Sequence, residues 1–136
     1  MILNRSKKVL LVAPKAFPDK LLAGYSNVKH TQAINKIFPS IHEVKPDVIL
    51  FDYAHMGTYM ETVLRRLQTN SFYKNIKICC YKNASNEKTD SFLKILGVKY
   101  FIYKEDLQDE SNSKTGTSTI NNVLGNPILN LMSQFS

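Results

Sequence analysis

Apolar residues along the chain alternate between short continuous runs and segments with helical spacing. Val9-Leu10-Leu11-Val12-Ala13 is unbroken, the pattern of a strand buried on both faces, and Pro14 and Pro18 end it. Phe17–Gly24 has room for at most a short helix, and Tyr25–Lys29 reads as a weaker second strand. Thr31 is placed as the N-cap of a helix that buries Ala33, Ile34 and Ile37. Pro39 breaks or kinks that helix, Ile41 and Val44 prolong its face, and Lys45-Pro46 stops it. Asp47–Asp52 is the clearest strand, four apolar residues closed by an acid, and Tyr53–Gly57 reads as a loop. Met60, Val63, Leu64 and Leu67 recur at i, i+3, i+4 and i+7, which predicts a helix with Glu61, Arg65 and Arg66 outward. Ile76–Tyr81 is a fourth strand. Asn86–Leu96 is a helix burying Phe92, Leu93 and Leu96, with Gly97 just past its end, and Tyr100–Tyr103 is a fifth strand ending at Lys104.

Gln108–Ser118 is polar, and apolar periodicity returns at Ile120, Val123, Leu124, Ile128, Leu131, Met132 and Phe135. Gly125-Asn126-Pro127 divides this stripe into two helical pieces. The expected organisation is a core over residues 1–107, a polar loop over 108–118 and a helical segment over 119–136 completing the same domain. The same stripe would also serve as a ligand for another chain. Strands alternating with helices predict a parallel α/β sheet.

Composition narrows the picture. With 136 residues, 43% of them apolar and 21% charged, the chain suits one globular core. No apolar run approaches the ~20 residues of a membrane span, and Val9–Ala13 is too short for a signal peptide. Cys79 and Cys80 are adjacent in an apolar run, so they read as reduced core residues of a cytoplasmic protein. No second cysteine or histidine cluster completes a metal site with them, and His30, His42 and His55 lack ligand spacing.

In an open parallel sheet, chemistry gathers at the carboxyl ends of the strands. That singles out Ala13-Pro14-Lys15, Asp52 and Lys104. Around them the chain reads Lys-Pro-Asp-Val-Ile-Leu-Phe-Asp at 45–52, Gly57 after a further five residues, Gly97 closing a helix, and Tyr100–Tyr103 ending in Lys104. Over roughly residues 7–107 the sequence resembles the receiver domains of response regulators, of the chemotaxis-regulator type. The resemblance implies a flavodoxin-like three-layer sandwich with a five-stranded parallel sheet. It places Asp52 at the phospho-acceptor position, Lys104 at the lysine that contacts phosphoryl oxygens, and Phe101 at the aromatic switch position. Receivers carry an acidic pair after the first strand that helps hold Mg²⁺; Ala13 and Pro14 occupy it here, followed by Lys15. The Ser or Thr after the fourth strand falls on Tyr81 or Lys82, the proline after the lysine is Glu105, and the first helix is shortened.

These departures change the chemistry. Mg²⁺ is anchored by carboxylates, and phosphoryl transfer rests on positioning and charge neutralisation. At ~5 Å and an effective dielectric of ~20, each unit charge pair is worth about 3 kcal/mol, so exchanging two acids for a lysine removes several kcal/mol of cation binding. The expectation is that Mg²⁺-dependent phosphorylation is lost, that no cofactor is needed, and that Lys104 with Lys15 or Lys82 pairs with Asp52 where metal would sit.

The function that follows is a stand-alone atypical receiver in two-component-type signalling, a phosphorylation-independent protein-interaction module. Its partner would be another signalling protein or a second copy, met through the fourth helix, fifth strand and C-terminal helix, with no membrane involved. One alternative is a phosphorylatable regulator using Asp52. Another is a basic nucleic-acid-binding α/β protein. The net charge of +7, the pI near 9.4 and Tyr73-Lys74-Asn75-Ile76-Lys77 suit the latter. The cations, however, are spread along the chain with no run longer than two, so nucleic acid is not the expected partner. There is no Gly-rich phosphate loop, Cys–His pair or serine nucleophile turn, so no enzyme is expected.

Overall fold

The computed structural model describes residues 7–22, 25 and 27–106. The polar stretch 108–118 and the segment 119–136, expected to be helical, lie outside the described residues. Five strands, β1 (Val9–Val12), β2 (Val28–Thr31), β3 (Val48–Asp52), β4 (Lys77–Lys82) and β5 (Tyr100–Tyr103), form one sheet in the order β2-β1-β3-β4-β5. Every pairing is parallel. This is the flavodoxin-like order, in which the switch point lies between β1 and β3.

Among the described residues, four helices follow the strands: α1 (Ile37–Val44), α2 (Tyr53–Met56), α3 (Tyr59–Thr69) and α4 (Glu87–Ile95). Strand residues alternate between faces. Leu10, Val12, Ile49, Phe51 and Cys80 pack with Ile37 and Ile41 of α1, Met60, Leu64 and Leu67 of α3, and Leu93 of α4. Val9, Leu11, Val48, Leu50, Cys79 and Ile102 form the opposite core with Phe17 and Leu22 of the β1–β2 connection. The two adjacent cysteines therefore belong to two different cores. Both are buried free thiols.

Several predicted boundaries move, each for a local reason. β2 spans Val28–Thr31 rather than Tyr25–Lys29, and Thr31 is buried at its end rather than capping a helix. Its carbonyl accepts from Ala13 N–H at 3.2 Å, which leaves it extended. Ala33 is exposed, and α1 begins only at Ile37, after a 3-10 turn over Ile34–Lys36. Pro39 consequently falls in the first turn of α1, where its missing N–H costs no bond, so it neither breaks nor kinks the helix. Lys45 ends α1 in the left-handed conformation (φ 53°), its N–H donating to Ile41 O at 2.8 Å. Tyr53–Met56 is a helical turn, not a loop, because Asp52 caps it. In α4, Phe92 is 41% exposed and Asp90 takes the inward position instead. Between β1 and β2 the described helical structure is a 3-10 turn over Asp19–Leu22, in line with a shortened first helix. Among the described residues, no helix is long and apolar enough to cross a membrane.

Candidate functional site

β3 is the middle strand, flanked by β1 and β4, and its last residue Asp52 projects from the carboxyl edge of the sheet. One carboxylate oxygen, Oδ1, accepts from His55 N–H at 3.2 Å and so starts α2. The side chain is half-buried. Beside it, at the end of β1, Ala13 is fully buried and its carbonyl accepts from His30 Nε2 at 2.8 Å. Pro14 lines the cavity in front of Asp52, while Lys15 is exposed and does not line it.

Register places Asp52 opposite Tyr81, and Lys82 opposite Tyr103. Lys82 is 6% exposed, and its ammonium forms an ion pair with Asp90 of α4. The other Asp90 oxygen accepts from the Tyr103 hydroxyl at 2.6 Å and from Asn86 N–H at 3.3 Å. Lys82 Nζ also lies 5.1 Å from the centroid of the Tyr53 ring. Burial by itself would raise the Asp90 pKa, but the hydrogen bonds from Lys82, Tyr103 and Asn86, with the Lys82 charge, outweigh it and hold the carboxyl below its ordinary value. Burial, together with the bond to Asp90, pushes the Tyr103 phenol up, so Tyr103 stays a donor.

A cavity of about 670 Å³ opens in front of Asp52. Asp52, Lys82 and Lys104 line it, with Pro14, Phe17, Tyr53 and Tyr81 as apolar wall and Ser85, Asn86 and Thr89 near the start of α4. Phe17 meets Tyr81 edge-on at 4.9 Å. Lys104 opens a helical turn over 104–106 and is exposed.

The fold thus brings Asp52, Lys104, Lys82 and Pro14 to one cavity. It does not form the expected ion pair at Asp52. Among the described residues, none of Lys15, Lys82 and Lys104 lies within 4 Å of the Asp52 carboxylate. Lys82 is instead committed to Asp90, which β4 and α4 place against it. Phe101 packs into the helical-side core and does not line the cavity; its ring stacks on Tyr103 at 5.9 Å and lies 6.0 Å from Lys94 Nζ. The histidines tie backbone together: His30 to Ala13, and His55 Nε2 to the Gln32 carbonyl at 2.7 Å. His42 Nε2 bonds the Tyr73 hydroxyl at 3.0 Å.

Asp90 and Tyr103 were not apparent as site residues from the sequence. A signal was present in the spacing, because Asp90 lies three residues before Leu93 on the inner face of an amphipathic helix, where a carboxylate needs a buried partner. The residues do not fit a Mg²⁺ site. Ala13 and Pro14 carry no side-chain oxygen, Asp52 contributes one carboxylate, and the other charged residues of the cavity wall are Lys82 and Lys104.

Neither a family model nor a curated protein matches the sequence. Solved structures do. A protein described as a response regulator from Chloroflexus aurantiacus superposes with a TM-score of 0.62 at 16% identity, over 89% of this chain and 99% of that one. The phosphorylated cyanobacterial phytochrome response regulator RcpA gives a TM-score of 0.64 at 18% identity, over 89% of this chain and 91% of that one. The chain has the receiver-domain fold.

Proposed function

We propose that this chain works in signal transduction as an atypical receiver, a non-enzymatic, cytoplasmic module that signals by protein contact without being phosphorylated. The observation that carries the reading is the cavity at Asp52. Its acidic pair is replaced by Ala13 and Pro14, and the residue at the end of β4 is a lysine neutralised internally by Asp90. Phosphoryl transfer in such a cleft would have to proceed without the cation that offsets charge on the transferred group. The Lys82–Asp90–Tyr103 network joins β4, α4 and β5, so it fixes that side of the fold in one arrangement. The partner would be another signalling protein or a second copy, meeting α4 and β5, where Phe92 and Ile95 are exposed.

A specific observation favours one rival reading, a phosphorylatable regulator: Asp52 is not held by a lysine and opens on the cavity. Acetyl phosphate with Mg²⁺, followed by intact-mass measurement, separates the two. The docking reading expects no adduct from the folded protein. A single phosphate adduct that disappears in Asp52→Asn overturns it and assigns Asp52 as acceptor.

A further inference from the structure

All five strands are parallel, so their amino ends share one edge of the sheet, opposite the edge that carries Asp52. Lysines scattered along the sequence converge on it. Lys8 precedes β1, Lys45 precedes β3, Lys74 precedes β4 and Lys99 precedes β5. Backbone bonds set these starts side by side: Asp47 N–H to Lys8 O at 2.8 Å, Lys77 N–H to Asp47 O at 3.0 Å, and Lys99 N–H to Ile78 O at 2.9 Å. With strands ~4.8 Å apart, the four neighbouring starts span about 15 Å. Lys45, Lys74 and Lys99 are exposed, and Lys8 is half-exposed. The acids of this region are engaged: Asp47 accepts from Lys8 N–H at 2.9 Å, and Glu43 pairs with Lys29 at 3.6 Å.

Among these lysines is an aromatic platform. Asn70 accepts from Phe72 N–H at 2.9 Å and fixes a 3-10 turn over Ser71–Tyr73. That turn leaves Phe72 57% exposed, with one ring face braced by His42 at 5.0 Å in near-parallel stacking. Tyr73, which the sequence also suggests as a stacking residue, is buried beneath it. Phe72 lines a concavity of about 370 Å³ together with Lys45, Asn75 and Asp47.

We propose that the amino edge of the sheet binds single-stranded nucleic acid, with Phe72 as the base-stacking platform and Lys8, Lys45, Lys74 and Lys99 as phosphate contacts. A flat ring braced from behind, beside an amide and flanked by cations, supplies the two recognition elements of such surfaces, stacking and a charged track. An acidic peptide would need the lysines but not the platform. Duplex bases are stacked on each other and could not reach it. This inference is independent of the reading of Asp52, which lies at the other edge.

The test is fluorescence anisotropy of a fluorescein-labelled oligo-dT of about 12 nucleotides. Saturable binding is expected at low salt, with log affinity falling against log salt at a slope of about −3 for four contacts. Phe72→Ala should weaken binding roughly tenfold. Phe72→Leu, which keeps apolar bulk, should do the same and guards against misfolding in the alanine variant. Lys45→Glu with Lys74→Glu should weaken it further, while Lys88→Glu at the far end of α4 should leave it within about twofold. Absence of saturable binding overturns the proposal. So does retention of affinity in both Phe72 variants, equal loss in Lys88→Glu, or competition by polyglutamate as effective as by unlabelled oligo-dT.

Discussion

Lys82 and Asp90 are two charges taken almost wholly out of water, with side chains 5% and 10% exposed. Their desolvation is offset by the bonds that converge on Asp90, which accepts from Lys82, Tyr103 and Asn86. Removing one partner strands the other, so Lys82→Met should cost about 3–5 kcal/mol in urea unfolding. Lys82→Met with Asp90→Asn should cost less than the two single changes together. Acid titration gives an independent check. Asp90 is held below its ordinary value of 3.8, so the unfolded chain binds its proton at a higher pH than the folded chain. The stability this supplies is complete above the ordinary value and is lost as pH falls through the lowered one. Asp90→Asn should therefore be less stable than the natural chain at neutral pH, with the gap closing below about pH 4. A gap of constant size down to low pH would mean that Asp90 does not titrate as a buried, bonded carboxylate. At this scale the placement of Asp52 and Lys104 at strand ends was readable from the apolar runs that precede them. The pairing of Lys82 was not, because choosing between Asp52 and Asp90 required knowing how α4 lies against β4 and β5.

At the scale of elements, the alternation of strands was readable wherever a run was apolar on both faces, as in β1, β3 and β4. β5 was placed residue for residue. Helix starts were harder to read, because caps are local choices among several polar candidates. Thr31 has the side chain of a cap, yet a hydrogen bond in the sheet claims its backbone. In α4 the 3.6-residue period admitted Phe92 to the inner face, but the buried position goes to Asp90, whose partners lie on other elements. β4 offers a direct test of face alternation. Cys79 and Cys80 are 0% exposed in separate cores, and burial pushes the Cys79 thiol up to about 12 and the Cys80 thiol up as well. Neither should react with Ellman's reagent in the native state, and both should react once the chain is unfolded. Rapid labelling of one thiol without denaturant would show that one face of β4 is open to solvent. A disulfide between them would contradict the extended register in which neighbours point to opposite faces.

At the scale of the whole molecule, parallel topology does what no local pattern reveals: it sorts strand ends into two edges of different chemistry. Asp52, Lys82 and Lys104 meet at the carboxyl edge from positions 30 and 22 residues apart. Lysines from four separate stretches of the sequence meet at the amino edge. Reading charge along the chain therefore undercounted the basic surface, whereas reading strand ends located the cavity. The carboxyl edge also makes the last prediction. A Mg²⁺ site with a dissociation constant of ~1 mM would add about 1.4 kcal/mol at ~10 mM Mg²⁺, a rise of several degrees in Tm for a domain of this size. With Ala13 and Pro14 beside Asp52, the natural chain should show no Mg²⁺-specific rise over a Mg²⁺-free control at matched ionic strength. Pro14→Asp places a second carboxylate on the cavity wall, so it should lose stability without the ion through repulsion with Asp52 and regain part of it as Mg²⁺ is added. If instead the natural chain gains several degrees with Mg²⁺ and Asp52→Asn abolishes the gain, the cleft binds the cation despite its missing acids, and charge neutralisation by Mg²⁺ returns to the account of this site.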